Sequence, residues 1–196
     1  MNELINEYKK KKKEIVARIN EFKKNNFLDE LIFCILTPQS NAKMCWEAVE
    51  EIKKIKELTK EKLMNILRRK TRFYRKKTDY VLEALNRKNE IENFLKEKNV
   101  IKLRFILSEK IKGFGLKEAS HFLRNIGRSK NNVAILDRHI LKNLKNLNVI
   151  EKDKIKSKRD YLDIEEKFID FSKKINVPLD HLDLLFWCRE NGTIFK

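Results

Sequence analysis

The sequence predicts an all-α protein, and three observations carry that expectation. Apolar residues recur at spacings of three and four along most of the chain, the period of one face of a helix. Only two prolines and four glycines punctuate the 196 residues. No stretch reads convincingly as a strand. Helices are expected at 2–24, 27–37, 40–56, 59–69, 72–87, 90–98, 101–111, 116–127, 138–147, 158–175 and 178–190.

The first of these carries Lys9 to Lys13, five consecutive cations that ordinarily form the solvated face of a helix. The second contains the apolar run LIFCIL, which places Cys34 in the core as an inert thiol, and Pro38 stops it. At the next junctions lies RRKTRFYRKK, residues 68–77, where seven cations surround Phe73 and Tyr74. Two readings weigh equally there: a phosphate-binding patch including Arg72, Arg75 and Lys76, or core aromatics with merely exposed cations. Asn131 and Asn132 form a polar break, and Pro178 stands where a first-turn proline belongs. No internal repeat or low-complexity linker appears.

Charge narrows the class of partner. With 46 Lys and Arg against 29 Asp and Glu, the net charge is +17, more than solubility requires, so a polyanion is the expected partner. No apolar run approaches the ~18–20 residues that span a bilayer, and the N-terminal stretch lacks the apolar core of a signal peptide. A soluble, cytoplasmic and nucleoid-associated protein is therefore expected, with no membrane partner. Cys34, Cys45 and Cys188 are scattered singly, without the spacing of a zinc site or disulfide framework, and three are too few for a four-cysteine iron–sulfur cluster. No metal ligand set is expected.

Three of the four glycines fall in LSEKIKGFGLKEASHFLRNIG. An apolar helix runs into Gly113-Phe114-Gly115 and a second begins near Leu116, so the segment reads as helix, tight hairpin, helix. Glycines allow close approach of the backbone, and the unpaired amides opening the second helix suit a phosphate. Lys117 lies in the first turn of that helix, where the positive end of the helix dipole should favour its neutral, nucleophilic form. Twenty residues further on, the apolar run Val133 to Leu136 delivers Asp137 at the start of another helix. A helix cap is one role for it, and is compatible with a chemical one.

The blocks IKGFGLKEASHFLRNIG and AILDRHIL resemble the lysine and aspartate signature of the helix-hairpin-helix DNA glycosylases, and specifically the second, mainly archaeal family of 8-oxoguanine DNA glycosylases. FCILTPQSNA, RFYRKK and LDLLFWCRENGTIFK extend the resemblance from about residue 27 onward. The interval from Lys117 to Asp137 is a residue or two longer than the family pattern, the excess falling at Ser129 to Asn132, where a surface loop should absorb it. The resemblance implies two helical lobes, residues 27–128 with the hairpin at about 101–127, and 1–26 with 129–196, with Lys117 and Asp137 on opposite walls of a cleft. It implies a monomeric glycosylase and lyase acting on double-stranded DNA that contains 8-oxoguanine. Lys117 would attack the sugar C1′, Asp137 would stabilise the developing charge, and β-elimination from the Schiff base would nick the strand. No cofactor is implied beyond a monovalent cation at the carbonyls of Glu109, Ile111 and Phe114.

The resemblance also assigns lesser roles. Gln39, with Asn41 as second choice, would fill the gap left by a flipped nucleotide, and Gly113, Gly115 and His139 would face phosphate. Asp183 and Trp187, spaced i, i+4, would hold a purine. Lys196 corresponds to the family's C-terminal lysine, placed near the base. His121 is expected to pack or orient its helix rather than act as a base. Two alternatives stand beside this reading: a relative acting on oxidised pyrimidines, and a helix-hairpin-helix module that binds DNA without catalysis.

Overall fold

The computed structural model describes residues 2–196. Among them the chain forms eleven α-helices and no strand: α1 (Asn2–Phe22), α2 (Phe27–Leu36), α3 (Ala42–Lys53), α4 (Lys60–Lys70), α5 (Tyr74–Asn86), α6 (Lys88–Phe94), α7 (Val100–Lys110), α8 (Leu116–Asn125), α9 (Arg138–Asn146), α10 (Lys158–Lys174) and α11 (Leu179–Asn191). Helix starts follow capping chemistry. Asn26, Asn41, Thr59, Asn99, Asp137 and Ser157 are extended residues whose side chains accept an amide of the first turn. Two starts fall two residues later than expected, for local reasons. Asn41 is occupied as the cap of α3, so that helix opens at Ala42, and Phe73 adopts φ 57°, so α5 opens at Tyr74.

The chain packs as two compact units, one comprising Asn25–Phe122 and the other the residues up to Lys24 together with Leu123–Lys196. The division falls within α8, whereas the sequence reading set it after residue 128. In the first unit, α2 is buried from Glu30 to Leu36 and packs against α3 and α5, while α4 lies across α3 and α5. In the second, α1 turns Leu4, Tyr8, Ile15 and Phe22 toward α11. The Tyr8 hydroxyl meets His181 Nδ1 at 2.8 Å, and Arg18 Nε donates to the Phe195 carbonyl at 2.6 Å. Phe168 of α10 and Phe186 of α11 stack with centroids 5.9 Å apart. Gly127 closes the turn after α8 at φ +69°, where an added Cβ would lie 2.9 Å from Lys23 Cα, so no larger residue fits there.

No described helix is long and apolar enough to cross a membrane. Cys34, Cys45 and Cys188 are all buried and form no disulfide.

Candidate active site

The hairpin is built by its own sequence. The amide of Ile111 closes α7 on Leu107, and the Phe114 amide then donates to the Ile111 carbonyl at 3.1 Å. Gly113 turns the chain at φ +87°, with the Tyr80 ring so near that an added Cβ would sit 2.8 Å from it. Phe114 is buried and packs against Phe122 of α8, which ties the turn to the helix that follows. His121 also packs, edge-on to Phe33.

Gly115 begins α8: its carbonyl accepts the Ala119 amide, and its own amide donates to Glu118 Oε2 at 3.1 Å. This is the back-reaching half of a capping box. The other oxygen of Glu118 stands 2.8 Å from the amine of Lys117, which is one quarter exposed. The Lys117 amine thus meets a carboxylate as well as the positive end of the helix dipole.

The basic stretch 68–77 divides into two kinds of cation. Arg72, Arg75 and Lys76 are exposed, with the guanidinium of Arg72 over Phe73 and that of Arg75 over Tyr74. Arg69 and Lys70 pair with Glu51 and Glu47. Lys77 is no part of a surface patch, because its ammonium is buried and donates to Leu36 O, Pro38 O, Ser40 Oγ and Thr71 Oγ1 at 2.7–3.1 Å. Burial pulls this amine down to about 8, with the nearby positive charges of Lys117 and Arg72 adding to the effect. Lys77 thereby ties the end of α2, the loop bearing Gln39 and the turn before α5 into one piece.

That hub presents two residues at positive φ, Gln39 at 56° and Phe73 at 57°, both exposed. Asn41 has its side-chain oxygen engaged by the Met44 amide. The exposed aromatic of Phe73, over half accessible, was legible in sequence only as a member of the patch, since the left-handed backbone that projects it carries no sequence signal. Beside it, Ile35, Pro38, Phe73, Lys76, Lys77, Tyr80 and Gly113 line an open pocket of about 290 Å³.

In the other unit, Asp137 caps α9 through one oxygen, Oδ1, which accepts from the amides of His139 and Ile140 at 2.8 and 2.9 Å. The extended segment before it has no strand beside it. Its polar backbone is met instead by α10: Glu165 accepts the Ala134 amide at 2.6 Å, and the Tyr161 hydroxyl donates to the Ala134 carbonyl at 2.6 Å. The insertion at 129–132 lies at the surface as expected, with Lys130, Asn131 and Asn132 exposed, and it is anchored at one residue. Ser129 is buried and donates to Asp180 Oδ2 at 2.6 Å, and the Asn131 side chain accepts the Asp180 amide, so the loop is anchored on α11.

Asp183 is buried, with Arg124 3.1 Å away on one side and the charges of Asp137 and Asp180 also felt. Burial pushes its carboxyl up to about 7, against the pull of Arg124, which itself lies over the Phe22 ring. One turn on, Trp187 is partly exposed and tilts against Phe195. Lys196 is buried rather than frayed. The His139 ring lies 3.8 Å from Glu190, which pairs more closely with Lys142.

An all-helical chain with a glycine hairpin, a lysine in the first turn beyond it and a capping aspartate after α8 defines a helix-hairpin-helix DNA-repair protein. The 8-oxoguanine DNA glycosylase family model matches residues 5–177, and the chain belongs to that family. It is 40% identical to an 8-oxoguanine DNA glycosylase/AP lyase of Fusobacterium nucleatum, over 100% of this chain and 99% of that protein. It is also 40% identical to one of Methanocaldococcus jannaschii, over 94% and 93% of the two chains. A crystal structure of the M. jannaschii enzyme in complex with a 15mer DNA containing 8-oxoguanine superposes with TM-score 0.88 at 37% identity, covering 100% of both chains. The 8-oxoguanine DNA glycosylase of Thermotoga maritima superposes with TM-score 0.89 at 31% identity, over 100% of this chain and 97% of that one.

Proposed function

We propose that this chain excises 8-oxoguanine from double-stranded DNA through the amine of Lys117 and then nicks the strand by β-elimination. Membership of the family over nearly the whole chain carries this reading, together with Lys117 in the first turn after the hairpin. The lone pair of Nζ forms a bond to C1′ as the bond from C1′ to the base breaks, and the base departs with that electron pair. Opening of the sugar and loss of protons from nitrogen yield the Schiff base. Abstraction of a C2′ proton then expels the 3′ phosphate. Asp137 supplies negative charge while the sugar is cationic, since its capping bonds employ Oδ1 alone.

Phosphate contacts fall to Arg72, Arg75, Lys76, His139 and the amides at Gly113 and Gly115, Gln39 or Phe73 fills the space of the flipped nucleotide, and Asp183, Trp187 and Lys196 serve the base. A monovalent cation at the carbonyls of Glu109, Ile111 and Phe114, a monomeric state and work on the nucleoid in the cytoplasm complete the proposal.

The test is borohydride trapping on duplexes carrying 8-oxoguanine or an oxidised pyrimidine. The wild type should cross-link to the first, and Lys117→Gln should bind DNA but lose excision, nicking and cross-linking. Cross-linking by Lys117→Gln removes Lys117 from the role. Preference for the pyrimidine lesion turns the reading to that substrate, and binding with no excision of either base turns it to a non-catalytic module.

A further inference from the structure

The arrangement at the start of α8 is unusual for two adjacent helical residues. Neighbours at i and i+1 point about a quarter turn apart and do not ordinarily meet, yet Glu118 Oε1 lies 2.8 Å from Lys117 Nζ. The carboxylate is brought there from behind. Its second oxygen takes the Gly115 amide at 3.1 Å, and an added Cβ on Gly115 would stand 3.3 Å from that oxygen. Glycine at 115 thus leaves room for Glu118 to fold back. With one oxygen held by backbone, the other is a fixed acceptor rather than a swinging surface charge, and Glu118 is only 13% exposed.

We propose that Glu118 is a positioning residue for the nucleophile: anchored by the hairpin amide, it holds the Lys117 amine in one direction. This rests on the reading of Lys117 as nucleophile. As the Lys117 nitrogen lone pair forms its bond to C1′, the bond from C1′ to the base breaks, and the Glu118 carboxylate exchanges its partner for solvent. The other charged group that feels both members of this pair is Lys77, which in turn feels Arg72. His121 stands one turn further along α8. None of these offers Lys117 a second carboxylate.

Direction shows in reaction rate rather than in binding or folding. Imine formation would be followed by borohydride trapping under single-turnover conditions, on 8-oxoguanine duplex and on duplex with a preformed abasic site, with DNA affinity and melting temperature measured in parallel. In Glu118→Gln the amide oxygen can still accept from Gly115 while the ion pair with Lys117 is gone. The plateau rate should fall roughly three- to tenfold on both substrates as the amine loses its direction, with DNA affinity unchanged. Glu118→Ala should lower the plateau further. A role confined to capping α8 would instead lower the melting temperature and leave the plateau rate in place, and that result in either folded variant overturns the proposal. Should Glu118→Gln not fold, Glu118→Asp supplies the same test, since the shorter carboxylate cannot hold both partners and the plateau rate must fall. Cross-linking that persists in Lys117→Gln would overturn the nucleophile itself, an outcome distinct from an unchanged plateau rate with cross-linking abolished.

Discussion

The hairpin that carries Lys117 and the segment that carries Asp137 are constructed in opposite ways. Around Lys117 the partners are local. Ile111, Gly113, Phe114, Gly115 and Glu118 lie within eight residues and make the turn, the cap and the ion pair among themselves. Asp137 is delivered by an extended run whose backbone is satisfied from 25 to 31 residues away by Tyr161 and Glu165. The loop leading to that run is fastened to Asp180, about 50 residues off. Only the first kind of construction leaves a compact signature in a sequence. The second is as exacting, because buried backbone polar groups left without partners cost about 1–3 kcal/mol each.

The comparison can be broken at several points, and the largest expected effect is at Asp137 itself. Asn is an equally good cap, so Asp137→Asn should leave the melting temperature within about 2 °C while turnover drops by at least ~100-fold, the scale of a lost charge in a reacting site. A loss below tenfold would reduce Asp137 to its cap.

Next in size is the remote support. Glu165→Ala strands the Ala134 amide and should destabilise the protein by about 1–3 kcal/mol, with turnover falling on the order of tenfold because the carboxylate downstream is displaced. Gly113→Ala is the local counterpart, forcing an L-residue to φ +87° against the Tyr80 ring. Its cost of about 1–2 kcal/mol should appear chiefly as weaker DNA binding. Thermal melts paired with single-turnover rates separate the two, and equal rate loss in both variants would erase the distinction.

Smaller again is the effect of neutralising Arg72, Arg75 and Lys76 together. The slope of log affinity against log salt for undamaged duplex should fall by about two to three, with the preference for the lesion unchanged, since phosphate contacts position without specifying. An unchanged slope would return these cations to ordinary surface.

The last expectation concerns Asp183. Its carboxyl is raised from 3.8 to about 7 in the folded chain, so the stability this group contributes is complete below about pH 4 and is lost as pH rises through 7. Asp183→Asn abolishes that dependence. The melting temperature of the variant relative to wild type should therefore rise between pH 4 and pH 8, by more than about 3 °C. A relative fall would mean that pairing with Arg124 outweighs burial.

Lys77 shows where reading residue types stops working. In sequence it is one of seven cations in ten residues, indistinguishable from Lys76 beside it. One step around α5 decides that Lys76 meets solvent while Lys77 enters the hub of carbonyls and hydroxyls formed by α2, the Gln39 loop and Thr71. The inserted residues 129–132 teach the same lesson. A polar, asparagine-rich break reads as surface, and only the packing of α11 reveals that Ser129 is buried on Asp180.

By itself the sequence determined the all-helical class, the eleven helices to within a few residues, the hairpin with Lys117 in the helix after it, and Asp137 at the start of α9, because helical period, caps and glycine turns are short-range properties carried by residues near one another. The tertiary structure alone decided which cations are surface and which are buried, which residues take left-handed backbone at Gln39 and Phe73, and what holds Asp137 and Asp183 in place. Those outcomes depend on which distant groups meet where water is excluded, and desolvation acts between partners that no local pattern connects.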